Sequence, residues 1–234
     1  MPLGVDTYLY TPRDDELIFE SGIRRVLFVS VGGWNWRKGW DVLLKSYFRA
    51  FTSRDDVSLL LVTRGVNFES ELNSILGELV PSNAPHITVS TSKLNENEMS
   101  SLYSRANAFV LFPRGEGWCL PYCEAGACGT PVIGSYQGGQ MAFMDENDPL
   151  LIKPDCLVEV DCSMRRCSDI YEGTIFADYS DDAIDDASSK MKLVIDSPYK
   201  ALESSLKFRS KLLEKYDWRE SSKLVYNRLT ELQK

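Results

Sequence analysis

The chain is poor in the residues that usually announce a metal site or a general base. Its 234 residues contain one histidine, His86, and its six cysteines, Cys119, Cys123, Cys128, Cys156, Cys162 and Cys167, include no C-x-x-C spacing. That excludes the common zinc patterns, and no metal is expected; reduced thiols acting as small hydrophobes are the favoured reading over paired disulfides. No uncharged apolar run reaches the roughly 18 residues a membrane span needs. The start, Met1-Pro2-Leu3-Gly4-Val5-Asp6, lacks the basic flank and apolar stretch of a signal peptide, so a cytoplasmic protein is expected. Excess positive charge is also missing: 26 Lys and Arg face 34 Asp and Glu, for a net charge of -8. Nucleic acid and anionic membrane surfaces are therefore poor partners. The acidity is local, because residues 155–186 carry ten acids against two arginines and the rest balances, so an anion site is expected outside that stretch. There is no internal repeat and no low-complexity tract.

What is present is an ordinary globular composition, 44% hydrophobic and 26% charged, long enough to bury a sizeable core. From Arg24 onward, short apolar β-branched runs alternate with longer amphipathic stretches, the pattern of βαβ units around a mostly parallel sheet. Val26 to Val31 reads as a buried strand ending in Gly32-Gly33, and Trp40 to Phe51 as a helix with its apolar residues at helical spacing. Val57 to Thr63 is a second strand, followed by a helix through Leu72, Ile75, Leu76 and Leu79 that stops before Pro81. His86 to Val89 is a third strand. Asn95, with Glu98 three residues later, opens a short helix in a capping-box arrangement. Ala108 to Phe112, Pro131 to Gly134 and Leu150 to Ile152 are strands four to six, with a short helix over Leu120 to Cys128 that tolerates Pro121 in its first turn. Residues 154–179 show no clear period and read as an irregular acidic, cysteine-bearing insertion. Three helices close the chain, roughly Asp181 to Ile195, Pro198 to Tyr216 and Arg219 to Leu232.

Three glycine turns follow strands one, four and five: Gly32-Gly33 with Lys38, Gly115-Glu116-Gly117, and Gly138-Gly139. In an open parallel sheet these turns share one edge, where backbone N-H groups and helix N-termini favour anionic ligands. Any one turn is better explained by tight chain reversal; three together with a cation point to a phosphate-bearing ligand held by Lys38 or Arg37. Glu116 and Glu124, eight residues apart, supply acceptors for vicinal hydroxyls of a sugar or ribose. A solvated loop charge and a dipole-stabilising helix residue are the bland alternatives for the pair. Acid and nucleophile of a glycoside hydrolase are a poor fit, because that chemistry needs side chains flanking a bond across a cleft. Trp34, Trp36 and Trp118, in turns at the ligand edge, are candidates for stacking on a base or sugar, while Trp40 sits at core spacing. His86 is expected to be structural.

The segment Glu116-Gly117-Trp118-Cys119-Leu120-Pro121-Tyr122-Cys123-Glu124-Ala125 resembles the E-x7-E motif of GT-B retaining glycosyltransferases of the GT4 type, usually E-G-F/W-G-L-P-x-x-E-A. Pro2-Leu3-Gly4-Val5-Asp6, the Val29-to-Gly33 run with Arg37-Lys38-Gly39, Pro131-Val132-Ile133 with Gly138-Gly139, and Tyr216-Asp217-Trp218 continue the likeness in order over nearly the whole chain. The resemblance implies a single Rossmann-like donor-binding domain, with the acceptor-binding N-terminal domain expected to be absent from residues 1–234. It implies that Lys38 meets the donor diphosphate beside Gly32, Gly33 and Arg37, and that Glu116 with the Gly117, Trp118, Cys119 and Leu120 segment holds the sugar. Glu124 would take the ribose hydroxyls, and Lys93 and Leu94 would line the base. Gly33 stands where the family usually has Arg, leaving Arg37 or Arg114 to supply that contact, and Ala142 stands where G-G-x-P-E has Glu. The activity implied is retaining, metal-independent hexosyl transfer from a UDP-sugar or GDP-sugar donor, without further cofactor, to a carbohydrate or glycan acceptor. The alternative is a nucleotide-sugar-binding or interaction module that needs a separate acceptor-binding half; an epimerase of the same shape lacks a second acid/base pair. Apolar stripes on the C-terminal helices are expected to be exposed and to seek a partner or a second copy.

Overall fold

A computed structural model describes residues 2–14, 22–64, 72–73, 77, 79–165 and 169–233. Six parallel strands form the central sheet: β1 (Val26–Gly33), β2 (Val57–Arg64), β3 (His86–Ser90), β4 (Ala108–Leu111), β5 (Val132–Ser135) and β6 (Leu151–Ile152). Their order is β3-β2-β1-β4-β5-β6, so the chain reverses direction across the sheet between β1 and β4. In such sheets the crevice at that reversal, beyond the C-terminal strand ends, is the ligand position.

The helices follow from amphipathic spacing and local caps. Helix α1 (Trp40–Ala50) buries Trp40, Leu43, Leu44 and Tyr47. Helix α2 (Glu96–Arg105) has the capping box: Asn95 accepts from the Glu98 N-H while the Glu98 carboxylate accepts from the Asn95 N-H. Helix α3 (Leu120–Ala127) carries Pro121 in its first turn. Leu72, Asn73, Gly77 and Leu79 are helical, whereas Ile75 and Leu76 lie outside the described residues.

Alternation along the buried strands divides the core. Ala108, Val110 and Phe112 join Phe28, Leu43 and Ile184 on one face, while Phe109 and Leu111 join Tyr122, Phe143 and Leu212 on the other. That period-two division seals both faces of the parallel sheet.

Residues 154–179, expected to be irregular, instead contain the antiparallel pair β7 (Cys156–Glu159) and β8 (Ile175–Asp178), with the short helix α4 (Cys162–Arg165) between them. The reason is one-sided packing: Val158 and Phe176 point inward while Leu157 and Ile175 are exposed, so the strands are too short and too apolar outside to show a sequence period. Helices α5 (Asp181–Asp196), α6 (Pro198–Lys215) and α7 (Trp218–Leu232) close the chain. The N-terminal segment is tied to the α6–α7 junction: the Val5 N-H donates to the Tyr216 carbonyl at 2.8 Å and the Trp218 N-H to the Val5 carbonyl at 3.1 Å. No described helix is long and apolar enough to cross a membrane. Cys119, Cys123, Cys128, Cys156 and Cys162 are free thiols; Cys167 lies outside the described residues.

Candidate functional site

The turn after β1 and the turn after β4 meet at the sheet reversal. Gly39, with φ of 71°, lets the backbone after Lys38 approach so closely that an added Cβ would lie 2.0 Å from the Phe112 carbonyl oxygen. This close approach aims Arg37 and Lys38 across the crevice. The Lys38 ammonium donates to Glu116 Oε1, and the Arg37 guanidinium reaches the same oxygen at 2.9 Å while also donating to the Gly115 carbonyl. Gly32 lies against the Lys38 stem. Two cations therefore converge on one carboxylate in a partly water-excluded turn, where charge-assisted hydrogen bonds are strong.

The β5 loop docks onto the same place. The Gly139 N-H donates to the Glu116 carbonyl at 2.9 Å, and a Cβ on Gly139 would lie 1.7 Å from the Gly117 oxygen. All three glycine turns thus share the sheet edge the sequence predicts.

Helix α3 begins at Cys119, whose φ of 63° makes it the one non-glycine residue with positive φ among the described residues. No side chain caps this N-terminus, Pro121 carries no N-H and the Tyr122 N-H donates to the Cys119 carbonyl at 3.0 Å, so what the helix start offers is the positive end of its dipole. Burial pushes the Cys119 thiol pKa up, which keeps it protonated; the thiol also feels Glu116, Lys38 and Glu124, placing it within electrostatic range of all three. Glu124 is half-buried and accepts from the Tyr103 hydroxyl at 3.0 Å. Burial raises its carboxyl pKa, the Tyr103 bond opposes the rise, and Glu96 adds to it. The sequence reading missed Tyr103; its place on the buried side of α2, beside Leu102, is the only signal that could have found it.

The tryptophans divide differently from expectation. Trp34 is buried and stacks on Trp40 at 5.2 Å, because the β1 turn folds back over the core, so it is no ligand platform. Trp36 packs beneath the Arg114 guanidinium, 4.3 Å from its ring centroid, and Trp118 lies on Phe143 and Tyr216. Arg114 is no spare phosphate ligand either: it is 3% exposed and bound by Asp41 and Asp178. Arg37 is the arginine that stands at the site. Lys93 is exposed on the loop after β3, two strands from β1, and Leu94 packs half-buried against the cluster that holds Leu27, Val29, Leu60 and Val62; no hydrogen bond or ion pair among the described residues joins Lys93 to the Lys38–Glu116 pair. His86 sits at the start of β3, bonded through Nδ1 to Ser58 at 2.8 Å, at the opposite end of the sheet from the turns.

Comparison with known proteins agrees with this geometry. The family model for glycosyl transferases group 1 matches residues 24–167. The MMP alpha-(1->4)-mannosyltransferase of Mycolicibacterium hassiacum is 29% identical over 171 residues, covering 72% of this chain and 39% of that protein. The GDP-mannose-dependent monoacylated alpha-(1-6)-phosphatidylinositol monomannoside mannosyltransferase of Corynebacterium glutamicum is 30% identical over 154 residues, 59% of this chain and 38% of that one. The structure of Anabaena Alr3699/HepE in complex with UDP and glucose superposes with a TM-score of 0.69 at 13% identity, over 97% of this chain and 55% of the other. The chain thus spans about two fifths of the curated relatives it matches. With its fold of the GT-B Rossmann-like type and its crevice built from the matched segment, it belongs to the glycosyl transferases group 1 family.

Proposed function

We propose that this chain is the donor-binding half of a retaining hexosyltransferase that takes its sugar from a nucleotide diphosphate. The observation that carries the reading is the convergence of Lys38 and Arg37 on Glu116, directly before the uncapped N-terminus of α3. A diphosphate needs fixed cations and a positive local field, and Lys38, Arg37 and the start of α3 supply them here. The relatives add weight: two are mannosyltransferases, one of them named for GDP-mannose, and the Anabaena structure holds UDP and glucose. GDP-mannose leads as donor, with UDP-sugars as the competing class.

In this reading Glu116 and the Gly117 to Leu120 backbone hold the hexose, while Glu124, steadied by Tyr103, accepts from the ribose hydroxyls. Lys93 and Leu94 border the base. As the bond from the sugar anomeric carbon to the diphosphate oxygen breaks, the diphosphate leaves with the electron pair. Lys38 and Arg37 neutralise the developing charge, which is the role a metal would otherwise fill. The acceptor hydroxyl oxygen bonds the anomeric carbon on the same face, and its proton passes to the departing diphosphate. The acceptor, a carbohydrate or glycan, is bound by a second half in the same or another chain. A binding module that needs that half for turnover is the second reading.

Lys38→Ala tests the assignment. Loss of a charge-assisted contact of about 1.5–3 kcal/mol should weaken GDP or UDP binding roughly tenfold or more. Calorimetry should show the corresponding nucleosides little affected; equal losses for nucleoside and diphosphate would remove Lys38 from the diphosphate site.

A further inference from the structure

The β7–β8 hairpin packs directly on the turn that carries Glu116. Arg114, two residues before it, is the centre of the contact. Its guanidinium donates to both Asp41 carboxylate oxygens at 2.8 Å, to Asp178 Oδ1 at 2.9 Å and to the Trp36 carbonyl at 3.0 Å. Its backbone is engaged too: the Arg114 N-H donates to the Arg37 carbonyl at 2.7 Å, and the Ala177 N-H donates to the Arg114 carbonyl at 3.2 Å. One side chain therefore joins the Lys38 turn, the first turn of α1 and strand β8. Burial pushes the Asp41 carboxyl up, but the bonded Arg114 cation outweighs this and leaves it below its ordinary range. Next door, Phe176 of β8 lies over Gly115 so tightly that an added Cβ there would meet its ring at 2.8 Å, and the same ring touches Trp36 and Tyr171.

We infer that the hairpin is a positioning element for the donor site, with Asp178 and Phe176 acting through Arg114 and Gly115 to hold Glu116 against Lys38 and Arg37. Arg114, Asp178 and Phe176 are positioning residues in this account. A guanidinium bound on two sides by carboxylates is a rigid planar joint, so removing the Asp178 side loosens the turn's side-chain tie to β8, with Asp41 still bound, without touching any group assigned to the ligand. The inference rests on the donor-site reading for its meaning, but the ordering of the turn is separable from it.

Asp178→Ala and Phe176→Ala, with Asp178→Asn as the conservative variant, test it through two readouts on the whole chain. In the free protein, amide exchange at residues 115–118 should accelerate about tenfold in both alanine variants while α5 and α6 keep their protection. In calorimetry, GDP-mannose or the UDP-hexose that the unaltered chain binds should lose about tenfold in affinity, GDP and UDP no more than about twofold, and Asp178→Asn should fall between. A purely structural role would lower both ligand classes together, and that result overturns the inference. Unchanged exchange at 115–118 in both alanine variants overturns it as well, whatever the ligands do. If the unaltered chain binds no nucleotide at all, the donor reading fails, while faster exchange at 115–118 would still uphold the hairpin's hold on the turn.

Discussion

Glu124 shows how one side chain can be tuned by its surroundings before any ligand arrives. Burial raises its pKa above the ordinary 4.5, against the pull of the Tyr103 hydrogen bond. A carboxyl that binds its proton more tightly when folded stabilises the fold fully below the unfolded value, and that contribution is lost as pH rises through the folded value. Above that window the ionised, half-buried Glu124 opposes folding. Glu124→Gln should therefore gain stability relative to the unaltered chain as pH rises from about 4.5 toward neutrality, a trend that urea titrations at several pH values would show. A pH-independent difference would contradict the burial argument. At the same scale, Lys38 and Arg37 were legible as cations beside a glycine turn, but their meeting on a single Glu116 oxygen was not, because it depends on a close backbone approach at Gly39.

Among the elements, α3 carries the most information. Its Cys119 adopts a conformation that costs a side-chain-bearing residue about 1–2 kcal/mol and costs glycine almost nothing. Cys119→Gly should therefore be more stable than Cys119→Ala by about 1 kcal/mol in denaturant titration, after the greater chain entropy of glycine is deducted. Equal stabilities would mean that the helix start relaxes out of the left-handed region. The parallel strands were readable because they are buried on both faces and so appear as unbroken apolar runs, as in Leu59 to Val62. The hairpin was not readable, because Leu157 and Ile175 face solvent and the pairing partners of β7 and β8 are far apart in sequence. The choice between Arg37 and Arg114 was open in the sequence for a related cause: the partners that bind Arg114, Asp41 and Asp178, lie 73 and 64 residues away from it, the second on that hairpin.

For the whole molecule, the sheet order places the three glycine turns at one edge, and the C-terminal helices present another surface altogether. Leu202, Leu206, Trp218, Leu224, Tyr226, Leu229 and Leu232 are exposed along α6 and α7. Apolar side chains in that number favour association. Sedimentation of the purified chain should show concentration-dependent self-association, reduced by Leu202→Glu with Leu206→Glu; a monomer at all concentrations would argue that these helices need no cover. The composition anticipated this architecture well, since alternating apolar and amphipathic segments have few other solutions, but it could not say which charges would pair across the crevice. The most direct test of the central claim is calorimetric titration of the chain, without added metal, with GDP, UDP, ADP and their common hexose conjugates. Selective micromolar-range binding of one nucleotide and its sugar conjugate, abolished by Glu124→Ala, is the result the donor-site account predicts; no binding to any of them, or binding indifferent to Glu124→Ala, would contradict it.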